Sequence, residues 1–268
     1  MTAVAVMPVL STGPRRWPVA VALGRVEAWR IVRHPVALVG LTLCALTIGL
    51  IGGDNALSSF DAPTTFPTYF LGVFTYFAAN LVATRDRRAD GEQMLAPAPA
   101  DRLTRTIGTA LAALGPALVA AAGIALAVVA YDLLGFFEVR PGFCHLAQGP
   151  VSVLGGALLG IMVGRWAPWP GAALLVMVAM VAWNVVTANS EKWGPVGTYV
   201  SWARYTDDGS WGGLYPGSPV WHVVYLTALC AMAAVGAVLR DVQHRLPWLA
   251  AGALLTVSAV ASGWAALP

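Results

Sequence analysis

The chain has 268 residues, of which 58% are hydrophobic and only 11% charged, with a mean hydropathy of +0.69 and a formal net charge of +3. Soluble domains carry about a quarter of their residues as charges, so this composition excludes an ordinary water-soluble domain and predicts an all-α, polytopic membrane protein. The small positive excess sits in short loops between apolar stretches and is no sign of nucleic-acid binding.

Residues 1–18 read as a flexible cytoplasmic N-terminus, without the compact apolar core and small-residue cleavage site of a removable signal peptide. Residues 19–34 place Ala22, Val26 and Trp29 on one side and Arg25, Arg30 and Arg33 on others, which predicts an amphipathic helix lying in the membrane interface and running up to Pro35. A transmembrane domain over 35–268 follows, with apolar stretches at Val36–Ile51, Phe66–Ala83, Ile107–Ala130, Leu146–Gly164, Gly171–Thr187, Val220–Leu239 and Leu249–Leu267. Most approach the roughly 20 residues that cross a hydrocarbon core as a helix. The last is rich in Ala and Gly and begins just after Pro247, so the segment 247–267 is read either as a seventh span or as an interfacial helix, and the side of the C-terminus follows from that choice.

Orientation comes from the basic residues. With the N-terminus inside, thirteen of the sixteen Lys and Arg fall in cytoplasmic segments, and only Arg140, Lys192 and Arg204 lie outside. That asymmetry predicts a multi-pass protein of the bacterial inner membrane with a cytoplasmic N-terminus.

The expected spans are poor in chemistry. No acid lies near the middle of one; Asp132 is at the outer end of the third. His34 and His244 read as cytoplasmic-boundary residues, His145 as part of an outer loop and His222 as near the outer end of the sixth span, which disfavours a proton-coupled or redox machine. Cys44, Cys144 and Cys230 lack metal-ligand spacing, Ser152 and Ser258 lack a base within the spans, and no GxxxxGK[ST] is present. No catalytic, cofactor or metal site is therefore expected in this chain, and energy for any driven transport would come from another one.

The loops are more informative. Between the second and third spans, 84–106 reads TRDRRADGEQMLAPAPADRLTRT; Asp90, Gly91, Glu92, Gln93, Met94 and Leu95 can form one or two helical turns capped by Asp90 and stopped by Pro97 and Pro99. Such turns would present Glu92, Met94 and Leu95 to a partner, whereas the flanking arginines can simply anchor helix ends to lipid headgroups. The fourth span carries Gly156, Gly160 and Gly164, a double GxxxG for close packing within one subunit or between two. The outer segment 188–219 holds Trp193, Tyr199, Trp202, Tyr205 and Trp211, with Asp207 and Asp208.

RVEAWRIVRHP (Arg25 to Pro35) and RDRRADGEQMLAPAPADRLTRTIG (Arg85 to Gly108), with the spacing of the spans, resemble the permease subunits of ABC-2 type exporters. The resemblance covers most of the chain up to about Leu239 and implies a connecting helix before the first span. It implies a coupling helix over Asp90 to Leu95 hinged at Arg85 and Asp86, and an outer segment that closes the exit. It further implies two copies of an ABC ATP-binding subunit carrying ATP and Mg, a second permease copy or a homologous permease, and contact with membrane lipid. A seventh span would depart from the usual six.

Residues that interrupt the aliphatic spans, Phe74, Thr75, Phe77 and Asn80 in the second and Trp183, Asn184 and Thr187 in the fifth, are the candidates for a translocation path, although the two asparagines can equally hydrogen-bond between helices. The set is uncharged, which suits an amphipathic or lipid-like cargo. The competing expectation is a membrane enzyme or scaffold using Asp207 and Asp208, independent of ATP; a passive channel would need a continuous polar stripe, which is lacking.

Overall fold

The structure is a computed structural model and describes residues 16–51, 56–88, 101–169, 171–188, 190, 192–198, 200–207 and 210–268. Helix α1 (Arg16–Val32) meets α2 (Pro35–Ile51) at a bend of 60°. The bend follows from His34-Pro35, because proline disfavours helical backbone at the residue before it and has no N–H to continue the ladder. His34 caps the new helix: its carbonyl accepts from Leu38 N at 3.0 Å and its Nδ1 from Val36 N at 3.3 Å.

Helix α3 (Ala56–Thr64), a π-helical turn at Pro67–Gly72 and α4 (Val73–Arg88) form the next rod. Pro67 cannot donate to the preceding turn, and the ladder widens there to the π register. Asp101 caps α5 (Arg102–Ala112) by accepting from Thr104 N at 2.7 Å, and the rod continues past Ala113 as α6 (Leu114–Leu134), which ends at Gly135 with φ +68°. The remaining elements are α7 (Phe143–Trp166), α8 (Ala172–Ala188), strands β1 (Ala203–Tyr205) and β2 (Trp211–Leu214), α9 (Pro219–Leu239) and α10 (Leu246–Ala266).

The chain is thus mostly helical, and the helices occupy the apolar stretches. Among the described residues five helices are long and apolar enough to cross a membrane, and the bent α1–α2 pair would make a sixth. Helix α8 falls short: its 17 residues rise about 25 Å, less than a typical hydrocarbon core of about 30 Å. The antiparallel β1–β2 hairpin is a small addition to the helical expectation, with an irregular register between Ala203↔Leu214 and Tyr205↔Trp211.

Helix α7 is the centre of the bundle, packed on α4, α6 and α9. Its glycines explain the contact with α4. A Cβ on Gly156 would lie 2.6 Å from Gly72 O, and one on Gly160 only 2.2 Å from Tyr76 O; Asn80 Nδ2 donates to Gly160 O at 3.1 Å across the same seam. The double GxxxG therefore packs within one chain, its backbones too close for any side chain.

Helix α10 runs antiparallel to α9 over its whole length. Gly252 faces Val235, Gly263 faces Tyr225, and Ser218 N donates to Ala266 O at 3.0 Å.

Candidate functional site

Three features stand out: an ion-paired base at the α7 C-terminus, a polar and aromatic layer at its N-terminus, and a cavity between them.

The base is built on α1. Gly24 and Gly108 let α1 lie directly on α5, where a Cβ on Gly24 would be 3.0 Å from Gly108 O and one on Gly108 2.9 Å from Leu23 Cβ. Ala20 and Ile31 are buried in this contact region, while Trp17, Val21 and Trp29 stay exposed, and the Arg33 guanidinium sits 4.0 Å from the centre of the Trp29 ring. One Glu27 oxygen accepts from Arg30 Nη1 and from Arg85 Nη2, each at 2.8 Å. The Glu27 side chain is only 12% exposed, so these charge-assisted bonds are screened less than surface pairs. They tie the amphipathic helix to the foot of α4. Asp241 binds the other side of the base, accepting from Thr106 Oγ1 at 2.5 Å and pairing with Arg165 at 3.8 Å, which joins α5, α7 and the end of α9.

Roughly 25 Å along α7 from Arg165, at 1.5 Å per residue, lies the aromatic layer. Trp202 is fully buried and donates from Nε1 to Gln148 Oε1 at 3.0 Å, while Gln148 Nε2 donates to Thr64 O at 3.2 Å. His145 and His222 stand edge-on to the Trp202 ring at 5.7 and 5.8 Å, and Phe60 packs against both His145 and Trp211. His222 Nδ1 donates to Pro195 O at 2.6 Å, and Ser201 Oγ donates to the Asp61 carboxylate at 2.9 Å. The segment after α8 is in this way folded down onto the ends of α3, α7 and α9.

Between the two ends, α8 stands off from the bundle. It is tied near its start by Tyr76 Oη donating to Ala173 O at 2.8 Å, and near its end by Asn184 Nδ2 donating to Thr198 Oγ1 at 2.7 Å. The gap that remains, bounded by the π turn, α4, α7, α8 and α9, is a cavity of about 820 Å³. It is open along one side, and its mostly apolar lining favours hydrocarbon over water.

The chain matches no family model, no curated protein and no solved structure.

The residues singled out from the sequence are dispersed among these features. Arg85 joins the base, Asp86 falls in the last turn of α4, and Asp90, Gly91, Glu92, Met94 and Leu95 lie outside the described residues. The path candidates are not brought together. Trp183 and Asn184 line the cavity, whereas Phe74 packs against Gly40 of α2, Phe77 lies edge-on to Tyr76 at 5.1 Å, and Asn80 is enclosed in the α4–α7 seam. Of the outer aromatics, Trp202 is the core of the layer, Trp211 lines it, Trp193 is exposed beside Lys192, Tyr205 ends β1, and Tyr199 is outside the described residues. Asp207 is exposed in the hairpin turn, and Asp208 is outside the described residues.

One placement corrects the sequence reading. His145 belongs to the first turn of α7 and not to an outer loop, and both it and His222, which does sit near the outer end of its helix, are buried against Trp202. Gln148, Asp61 and Glu27 are site residues that sequence reasoning misses. The available signal is a polar i, i+3 pair, His145 and Gln148, on one face of an otherwise apolar helix.

Proposed function

We propose that the chain is a multi-pass inner-membrane protein that serves as the permease subunit of an ATP-driven exporter of the ABC-2 type, moving an amphipathic or lipid-like compound outward. The membrane placement is supported by the five long apolar helices and by the gathering of Arg85 and Arg165, both ion-paired, at the base of the bundle. In this orientation the base faces the cytoplasm, where the Arg excess belongs. Helix α10, antiparallel to α9, would then be a further span and carry the C-terminus outside.

The observation that carries the exporter reading is the Glu27–Arg85 pair at 2.8 Å. It fastens the amphipathic helix to the last turns of α4, immediately before the loop expected to dock on an ATPase. A push on that loop would reach α1 and α5 together as a rigid group, since Gly24 and Gly108 leave no compressible side chain between them. ATP and Mg belong to the partner subunits in this reading. A second permease copy, or a homologue, completes the assembly.

The test is co-purification of a P-loop ATPase with tagged wild type, Glu92→Arg, Leu95→Arg and Glu27→Gln. The two loop variants are expected to lose the ATPase, and Glu27→Gln to retain it while reducing stimulation of ATP hydrolysis. Unchanged recovery with both loop variants would remove the docking assignment.

A further inference from the structure

We infer that the cavity between α4, α7, α8 and α9 is a binding site for a single-chain amphiphile with an uncharged, hydrogen-bonding head. The inference rests on the membrane reading above, but not on the ATPase partner. Three observations support it.

The walls are uncharged: among the described residues that line the cavity there is no Asp, Glu, Lys, Arg or His. An ionised head would have no counter-charge there and would be costly to bring in.

Apart from Tyr76, whose hydroxyl is held by Ala173 O at the other end, the polar groups gather at one end. Asn184 and Thr198 bond reciprocally at 2.7 and 3.0 Å, and Ser152 Oγ donates to Thr198 O at 3.4 Å, all beneath the aromatic layer. These groups are mutually satisfied and can exchange partners with a hydroxyl or ester without any being stranded.

The rest of the wall is deformable. Met162, Met177, Met180 and Met232, four of the chain's seven methionines, come from three helices to line this one space. Flexible thioether side chains suit a surface that must fit an alkyl chain of varying conformation.

The purified full-length protein is placed in phosphatidylcholine vesicles with a trace of monoacylglycerol carrying a photoreactive diazirine midway along its chain. After irradiation, labelled peptides are identified by mass spectrometry. The label is expected on α7 and α8 residues lining the cavity, to be displaced by unlabelled monoacylglycerol, and to fall roughly tenfold in Ala179→Trp or in Leu229→Trp, which fill the space from opposite walls. Leu254→Trp, on the exposed face of α10, is expected to leave it unchanged. Labelling spread evenly over the outward faces of α8 and α10, and insensitive to both filling variants, would overturn the site. Displacement by palmitate as effective as by monoacylglycerol would overturn the uncharged head. The measurement needs no nucleotide: cavity labelling without any co-purifying ATPase would sink the exporter reading and leave the site standing, and the converse result would remove the site alone.

Discussion

Replacing Gly160 by alanine places one methyl group where the structure has no room for it. The new Cβ would lie 2.2 Å from Tyr76 O, and ordinary contact begins at 3.4 Å, so the α4 and α7 backbones must separate by about 1.2 Å. The Asn80 Nδ2 to Gly160 O bond, 3.1 Å long, does not survive such a shift. Overpacking costs about 1–3 kcal/mol, and a backbone displacement of this size belongs at the upper end. The lost interhelical hydrogen bond adds roughly 0.6 kcal/mol, and alanine's better helix propensity returns about 1 kcal/mol. The net destabilisation is therefore about 2–3 kcal/mol. Gly123, where an added Cβ would meet nothing within 4 Å, is the control, and Gly123→Ala should be neutral or slightly stabilising. Gly164→Ala belongs between them, because its nearest neighbours, Thr84 Cγ2 at 3.0 Å and Asn80 Nδ2 at 3.2 Å, are side-chain atoms and not backbone. Thermal unfolding in mild detergent ranks the three. A Gly160→Ala protein as stable as Gly123→Ala would refute the backbone-on-backbone seam.

Trp202→Ala should cost about 3–5 kcal/mol, strand the Gln148 carbonyl, and open 190–218 to protease well below the temperature at which the helices melt; limited proteolysis with mass mapping checks this. Burial holds the His34 imidazole below its ordinary pKa of 6.5, so the neutral ring that caps α2 is favoured in the folded state. Its contribution is complete above that value and is lost as the pH falls below it, and the gap in thermal midpoint between wild type and His34→Ala should narrow from pH 7.5 to 5.5. In a background with Cys44, Cys144 and Cys230 replaced, a membrane-impermeant maleimide added to whole cells should label Ser210→Cys and not His244→Cys. The opposite pattern would invert the orientation.

The helices were legible because their signals are local. Apolar length marks each rod and Pro35 marks the bend, whereas the Asp101 cap and the start of α5 at Arg102, inside the segment expected to be a loop, went unread. The π turn at Pro67, the break at Ala113 and the β1–β2 hairpin were not legible, since each depends on what the segment packs against. The burial of His145 and His222 was not legible for the same reason: sequence places them near helix ends, but only the packing of Trp202 over those ends buries them. The polar interruptions Trp183 and Asn184 could be picked out along one helix, and both line the cavity. Its methionine wall could not, because Met162, Met177, Met180 and Met232 are brought together only by the packing of α7, α8 and α9.

The exporter account stands or falls on a partner. Purification of the tagged protein from its native membrane in mild detergent, with mass spectrometry of what accompanies it and ATP hydrolysis measured on the same sample, tests it most directly. The account predicts a P-loop ATPase in stoichiometric amount and hydrolysis that depends on Mg; a chain recovered alone and without hydrolysis, from a preparation in which Asn184 and Trp202 still hold their folded environment, would contradict it.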